Sequence, residues 1–183
     1  GIFRKIADAF GLEDDRHAVL ELAKGKVTTD PDNHSGEGIF FSSRIFDTYK
    51  IHSRGVLFHH DDHDHRDWIL GEESRQETGE GTIVEMHLAN DSGKQRKDVF
   101  DEYATSEVDY NFDRTVVPVK LRSYGEDRLV SRSQARRLLS RFDRFRTVIL
   151  DFKDVASIGQ AFADQVFRVF ASEHPDTELV AIN

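Results

Sequence analysis

The chain has 183 residues, 38% of them hydrophobic, no cysteine and a formal net charge of −9. Disulfides and thiolate metal sites are excluded, and the longest apolar runs, such as Val148-Ile149-Leu150, fall far short of the roughly 20 residues a membrane-spanning helix needs. With no charged leader ahead of an apolar core, it reads as a globular cytoplasmic protein with no membrane partner.

The first predicted element is a short helix in which Ile2, Phe3, Ile6, Ala7 and Phe10 recur at helical spacing and Gly11 supplies a left-handed end. Asp14 or Asp15 can cap a second helix that carries Ala18, Val19 and Leu22 and stops at Gly25. Residues 26–35 are polar and broken by Pro31, so they form a loop. From Gly36, the spacing of Ile39, Phe40, Ser43 and Phe46 restores helical period for about three turns. The texture then turns to strands at 49–53, 55–59, 68–70 and 82–88, an antiparallel run following helices.

Residues 91–113, polar with scattered anchors at Val99, Phe100, Tyr103 and Tyr110, read as a weakly docked linker. Beyond them, 115–121 is a strand whose Pro118 argues for an edge or an end. A helix over 133–142 follows, capped by Ser131, then a strand at 147–152, a helix at 158–171 and a strand at 177–182. That order is βαβαβ and calls for a mostly parallel sheet.

Charge supports the division. Residues 114–183 hold 12 Lys and Arg against 9 Asp and Glu, a balance of +3, which leaves −12 for residues 1–113. The acidic first module makes a nucleic-acid backbone a poor partner. The six arginines from Arg132 to Arg146 read as a solvated helix surface, with an anion site as the alternative.

The strongest chemical signal is the loop Thr28-Thr29-Asp30-Pro31-Asp32-Asn33-His34-Ser35 running into Gly36-Glu37-Gly38-Ile39 at a helix start. Free amides there attract phosphate, glycines let an anion approach the backbone, and the helix dipole adds favourable field. These features resemble the histidine-kinase-like ATPase family, in which a Thr-rich lid leads into a glycine box and the last strand opens with Gly-Thr, here Gly81-Thr82. The resemblance implies an ATP site with Thr28 and Thr29 in the lid, Ser35, Gly36, Gly38 and Ile39 along the phosphates and Thr82 near the adenine. Gly1-Ile2 looks like the tail of the family's Asp-x-Gly-x-Gly-Ile box. The adenine-reading aspartate and the asparagine that holds Mg²⁺ would both lie upstream of Gly1, so truncation is expected at that end and, from the apolar finish Val180-Ala181-Ile182, at the other.

The second half resembles a STAS-like domain of unknown function, through Leu129 to Leu139, Val148 to Phe152 and Ser157 to Asp164. Where STAS regulators carry a phosphoacceptor hydroxyl, this sequence has Gly159-Gln160-Ala161-Phe162. Ser157 reads as a helix-start cap rather than a substrate, and Gln160 and Asp164 either form a polar contact surface or solubilise the helix. His59-His60-Asp61-Asp62-His63-Asp64-His65 offers ligand types suited to Zn²⁺, Ni²⁺ or Cu²⁺, but its place between two hairpin strands predicts an exposed polar loop and no metal site.

The expected architecture is therefore α/β in two modules: a partial ATPase sandwich of helices on an antiparallel or mixed sheet at 1–90, and, after the linker, a STAS-like βαβαβ domain at 114–183. The expected function is an ATP-binding, Mg²⁺-dependent regulatory switch acting on a protein partner through the second module. The alternative is a nucleotide-independent interaction scaffold. No acid-base pair stands out for catalysis, Glu37 reading as a dipole partner at a helix start, and a homodimer is left open.

Overall fold

A computed structural model describes residues 1–62, 66–71 by backbone, 81–104, 111–120 and 128–183. His63, Asp64, His65, Tyr110 and Leu121 lie outside the described residues. Two compact units divide the chain, Gly1–Val99 and Phe100–Asn183.

In the first unit, α1 (Ile2–Phe10) buries Phe3, Ile6 and Ala7 on one stripe and ends at Gly11 with φ 60°, a backbone angle that costs glycine little. Asp14 caps α2 (Asp15–Lys24), its carboxylate accepting from the His17 amide at 2.8 Å. Every residue from Ala18 to Lys24 is buried, because α2 is wedged between α1, α3 and the sheet. The cost of that position is a buried ion pair, Glu21 with Lys24 at 2.5 Å, both side chains 1% exposed. The third helix, α3 (Gly38–Ile45), is locked to the end of α2 by Arg44. Its guanidinium lies 3.6 Å from the centre of the Phe40 ring and donates to the carbonyls of Phe40 and Ala23.

Four antiparallel strands follow: β1 (Thr48–Ser53), β2 (Val56–Asp61), β3 (Arg66–Gly71) and β4 (Ile83–His87), in the order β3-β2-β1-β4. Ile51 stands opposite Phe58 on one side and Val84 on the other. Tyr49, Ile51, Ser53, Val56, Phe58 and His60 alternate onto the buried face, as a period of two requires when one face packs on helices. Helix contact falls on β1, β2 and β3. Edge strand β4 keeps Ile83, Val84 and Met86 between 43% and 52% exposed, and Leu88, just past its end, is as open.

One expectation is corrected here. The His-Asp run is not wholly a loop, because β2 continues through Asp61 and carries His59 and His60 with it. His60 pairs across from Tyr49 on the helix side and is 9% exposed. Alternation decides this: continuing the strand from Phe58 sends every second side chain inward whatever its polarity.

The second unit opens within α4 (Arg96–Tyr103), which occupies the stretch read as a linker and buries Val99 and Tyr103, one turn apart. Ala104 then bridges Phe112, and Tyr103, Phe112 and Phe145 form consecutive edge-to-face pairs. β5 (Arg114–Pro118), β6 (Thr147–Asp151) and β7 (Glu178–Ile182) are parallel in that order, with Pro118 ending an edge strand. Both crossovers step the same way along the sheet, which puts right-handed connections on one face. Accordingly α5 (Arg132–Leu139) packs against α6 (Gln160–Asp164) and the π-helical turn Gln165–Phe170 that extends it, followed by α7 (Ala171–Glu173). Ser131 and Gln134 close a capping box at the start of α5.

The helices of the second unit differ from expectation at two ends. α5 stops at Leu139, and a 3-10 turn (Phe142–Arg144) entered through left-handed Arg141 takes Phe142 into the core. α6 begins only at Gln160, since Ile158 is held in a parallel bridge to Leu129. Its N-cap is Gly159, so Ser157 is not the helix cap.

Candidate functional site

Between α2 and α3 the chain makes a closed excursion. Gly25 and Lys26 turn it with φ of 91° and 55°, and the Val27 amide then donates to the Gly36 carbonyl at 3.1 Å, so the loop ends meet. Gly36 has φ 78°, and a Cβ there would stand 2.7 Å from the Val27 backbone. Only glycine accepts both the angle and the approach. Within the loop Asp30 is the hub: its amide donates to Thr28 Oγ1, its carboxylate accepts from Asn33 Nδ2, and its carbonyl accepts from the His34 amide, each at 3.0 Å.

This loop forms one wall of an open cleft of about 560 Å³. Thr28, Thr29, Asn33, His34, Ser35 and Gly36 come from the loop, Gly38 and Ile39 from the start of α3, and Ile2, Lys5 and Ile6 from α1. Glu37 is the N-cap of α3 but makes no side-chain cap, and the first amides of a helix have no intrahelical acceptor. An added Cβ at Gly38 meets nothing within 4 Å. Hydroxyls, an amide-rich helix start, a lysine and a histidine thus line the cleft, and none of the described lining residues is acidic. That set suits a polyanion.

Six of the eight residues singled out from sequence, Thr28, Thr29, Ser35, Gly36, Gly38 and Ile39, line this cleft together. Gly1 and Thr82 are not among its lining residues, but Thr82 is bonded to Ile2, which is. The Ile2 amide donates to Thr82 Oγ1 at 3.0 Å, and Ser53 Oγ donates to the Gly81 carbonyl at 2.9 Å. Gly1 lies so near Ser53 Oγ and the Gly81 carbonyl that a Cβ would overlap both. Lys5 carried no expectation from sequence, and Asn33 and His34 entered only as members of the loop. Helical spacing held the signal for Lys5, one turn beyond Gly1 on the stripe that also carries Ile2 and Ile6.

Mg²⁺ fits these residues less well than phosphate does. Among the described lining residues the one side-chain amide, Asn33, is engaged by Asp30, and an octahedral Mg²⁺ takes carboxylate or carbonyl oxygens alongside water.

In the second unit the strand-to-helix turn is built for close approach. The Gly159 amide donates to the Leu129 carbonyl at 2.7 Å, and a Cβ on Gly159 would lie 2.7 Å from Val130 Cα. Gln160 is exposed, and Ser157, also exposed, precedes the turn. Asp164 accepts from Arg168 Nε at 2.5 Å and from Arg132 of α5 at 3.2 Å. The hydrogen bond from Arg168 is the chief reason its carboxyl is held below the ordinary aspartate value, with the charges of Arg168 and Arg132 adding to it.

Residues 134–183, from the first turn of α5 to the end of β7, match the family model of a STAS-like domain of unknown function (DUF4325). The match lies wholly in the second unit. No curated protein and no solved structure matches the chain. The C-terminal likeness suggests a protein-interaction or regulatory role, and among the described residues no helix is long and apolar enough to cross a membrane.

Proposed function

We propose that the chain belongs to an ATP-dependent regulatory protein, in which the cleft of the first unit takes the nucleotide's phosphates and the STAS-like second unit contacts a protein partner. The observation that carries the reading is the cleft lining: loop hydroxyls, the open start of α3 and Lys5, with the Asp30 carboxylate turned onto Asn33. The order of lid, glycine box and Gly81-Thr82, similar to that of histidine-kinase-like ATPases, supports ATP over other anions.

The adenine and Mg²⁺ partners would come from chain N-terminal to Gly1. The Ile2 to Thr82 bond sets the entry to α1 at the start of β4, an outer strand of the sheet among the described residues.

Energetics sharpen the test. Charge-assisted hydrogen bonds contribute about 1.5–3 kcal/mol each, while association costs at least about 4 kcal/mol in lost freedom. Residues 1–183 alone should therefore bind ATP no more tightly than roughly millimolar, about −4 kcal/mol. A protein extended through a complete ATPase half should bind far more tightly. Calorimetry on the two chains decides it, and equal affinities would refute the nucleotide reading. The scaffold alternative draws on the family match falling only in the second unit; partner binding indifferent to ATP would favour it.

A further inference from the structure

α3 has a second end, and it is held as deliberately as its first. At the far end from the cleft, Lys94 Nζ lies 3.1 Å from the Arg44 carbonyl and 3.4 Å from the Phe46 carbonyl, and 2.7 Å from the Asp62 carboxylate. A cation on the last carbonyls of a helix meets the negative end of its dipole. One residue further on, Asp47 accepts from the Ala89 amide at 2.7 Å and from Ser92 Oγ at 3.4 Å, while its own amide donates to the His87 carbonyl at 2.9 Å. Among the described residues, the segment leaving β4 is thus fastened to the end of α3 and the start of β1. That same segment runs on into α4, the helix within which one unit gives way to the next.

We propose that Lys94 and Asp47 form a latch that couples α3 to the connecting segment 88–95, so that a change at the glycine end of α3 is felt where the chain leaves the first unit. α3 is eight residues long, so the two ends lie about 12 Å apart along one hydrogen-bonded rod. A rod this short moves as one piece, and its far carbonyls carry Lys94 with them. The functional use of the latch rests on the nucleotide reading, for it would transmit cleft occupancy toward the STAS-like unit. The coupling itself does not depend on any ligand.

The test is amide hydrogen exchange on the full-length protein, followed in residues 88–95. Lys94→Met should speed exchange there by about threefold or more, and Lys94→Arg, which keeps the donors, should restore it. Gly38→Ala, which adds a methyl in open space and firms the start of α3, should slow exchange in 88–95 in the wild-type background and leave it unchanged beside Lys94→Met. A purely local role for Lys94 would give the same Gly38→Ala effect, or none, in both backgrounds, and either outcome overturns the latch. In a separate arm, Mg-ATP should protect 88–95 in wild type but not in Lys94→Met. If calorimetry on the chain extended through a complete ATPase half shows no ATP binding, the nucleotide reading fails while the Gly38 comparison still decides the latch.

Discussion

The amide of Ile2 donates to Thr82 Oγ1 across 3.0 Å, joining residues 80 positions apart at the entry to α1 and the start of β4. A hydrogen bond of this kind has a net worth of about 0.5–1.5 kcal/mol, and its exposure puts it at the lower end. Thr82→Val should therefore lower unfolding stability by about 0.5–1 kcal/mol, and Thr82→Ser should recover it. Urea unfolding measures both, and a Thr82→Val protein as stable as wild type would show that α1 is held by its apolar stripe alone.

Gly36 and Gly38 should behave as different kinds of residue, although they belong to one motif. Gly36→Ala places a Cβ against the Val27 backbone at a left-handed φ and should cost about 2 kcal/mol or more, from the angle and the overlap together. The Cβ of Gly38→Val meets nothing within 4 Å, and the substitution should change stability by less than about 1 kcal/mol. Gly38 is thus the informative position for ligand. In a chain with a complete ATPase half, Gly38→Val should leave the melting temperature near wild type and sharply weaken ATP binding. Unchanged affinity would make the glycine box a structural turn.

The buried pair of Glu21 and Lys24 should be costly to break and cheap to replace. Glu21→Ala takes away the acceptor 2.5 Å from a Lys24 ammonium that is 1% exposed, and such losses cost about 3–5 kcal/mol. Replacing both, Glu21→Leu with Lys24→Met, should lie within about 2 kcal/mol of wild type. Chemical denaturation of the single and double variants gives the coupling energy, and purely additive effects would rule out a direct interaction.

Asp164 should titrate below the ordinary aspartate range, mainly because Arg168 hydrogen-bonds its carboxylate. With the folded value lowered, its contribution to stability is present above the unfolded aspartate value and is lost as pH falls through the folded one. Solvent exposure makes that contribution small and salt-sensitive. An NMR titration of the carboxyl should show the midpoint rising in Arg168→Ala, and a midpoint indifferent to Arg168 would reject the pairing.

Residues close in sequence determined much of this protein by themselves. Asp14, Gly11 and the Ser131 to Gln134 box set helix ends through bonds spanning a few residues, and alternation and turn spacing announced the βαβαβ order of the second unit. The loop running into a glycine box was legible as well, because hydroxyls and glycines lay in one continuous stretch. Tertiary structure decided the rest. It turned His60 inward, since register and not polarity chooses a strand's buried face. It divided the glycines into one that closes a loop against Val27 and one that leaves room. It also brought Lys5 to the cleft, Thr82 to Ile2 and Lys94 to the end of α3. Each of those contacts joins parts of the chain from about 20 to 80 residues apart, a separation at which local preferences carry no information and the packing of helices on a sheet supplies all of it.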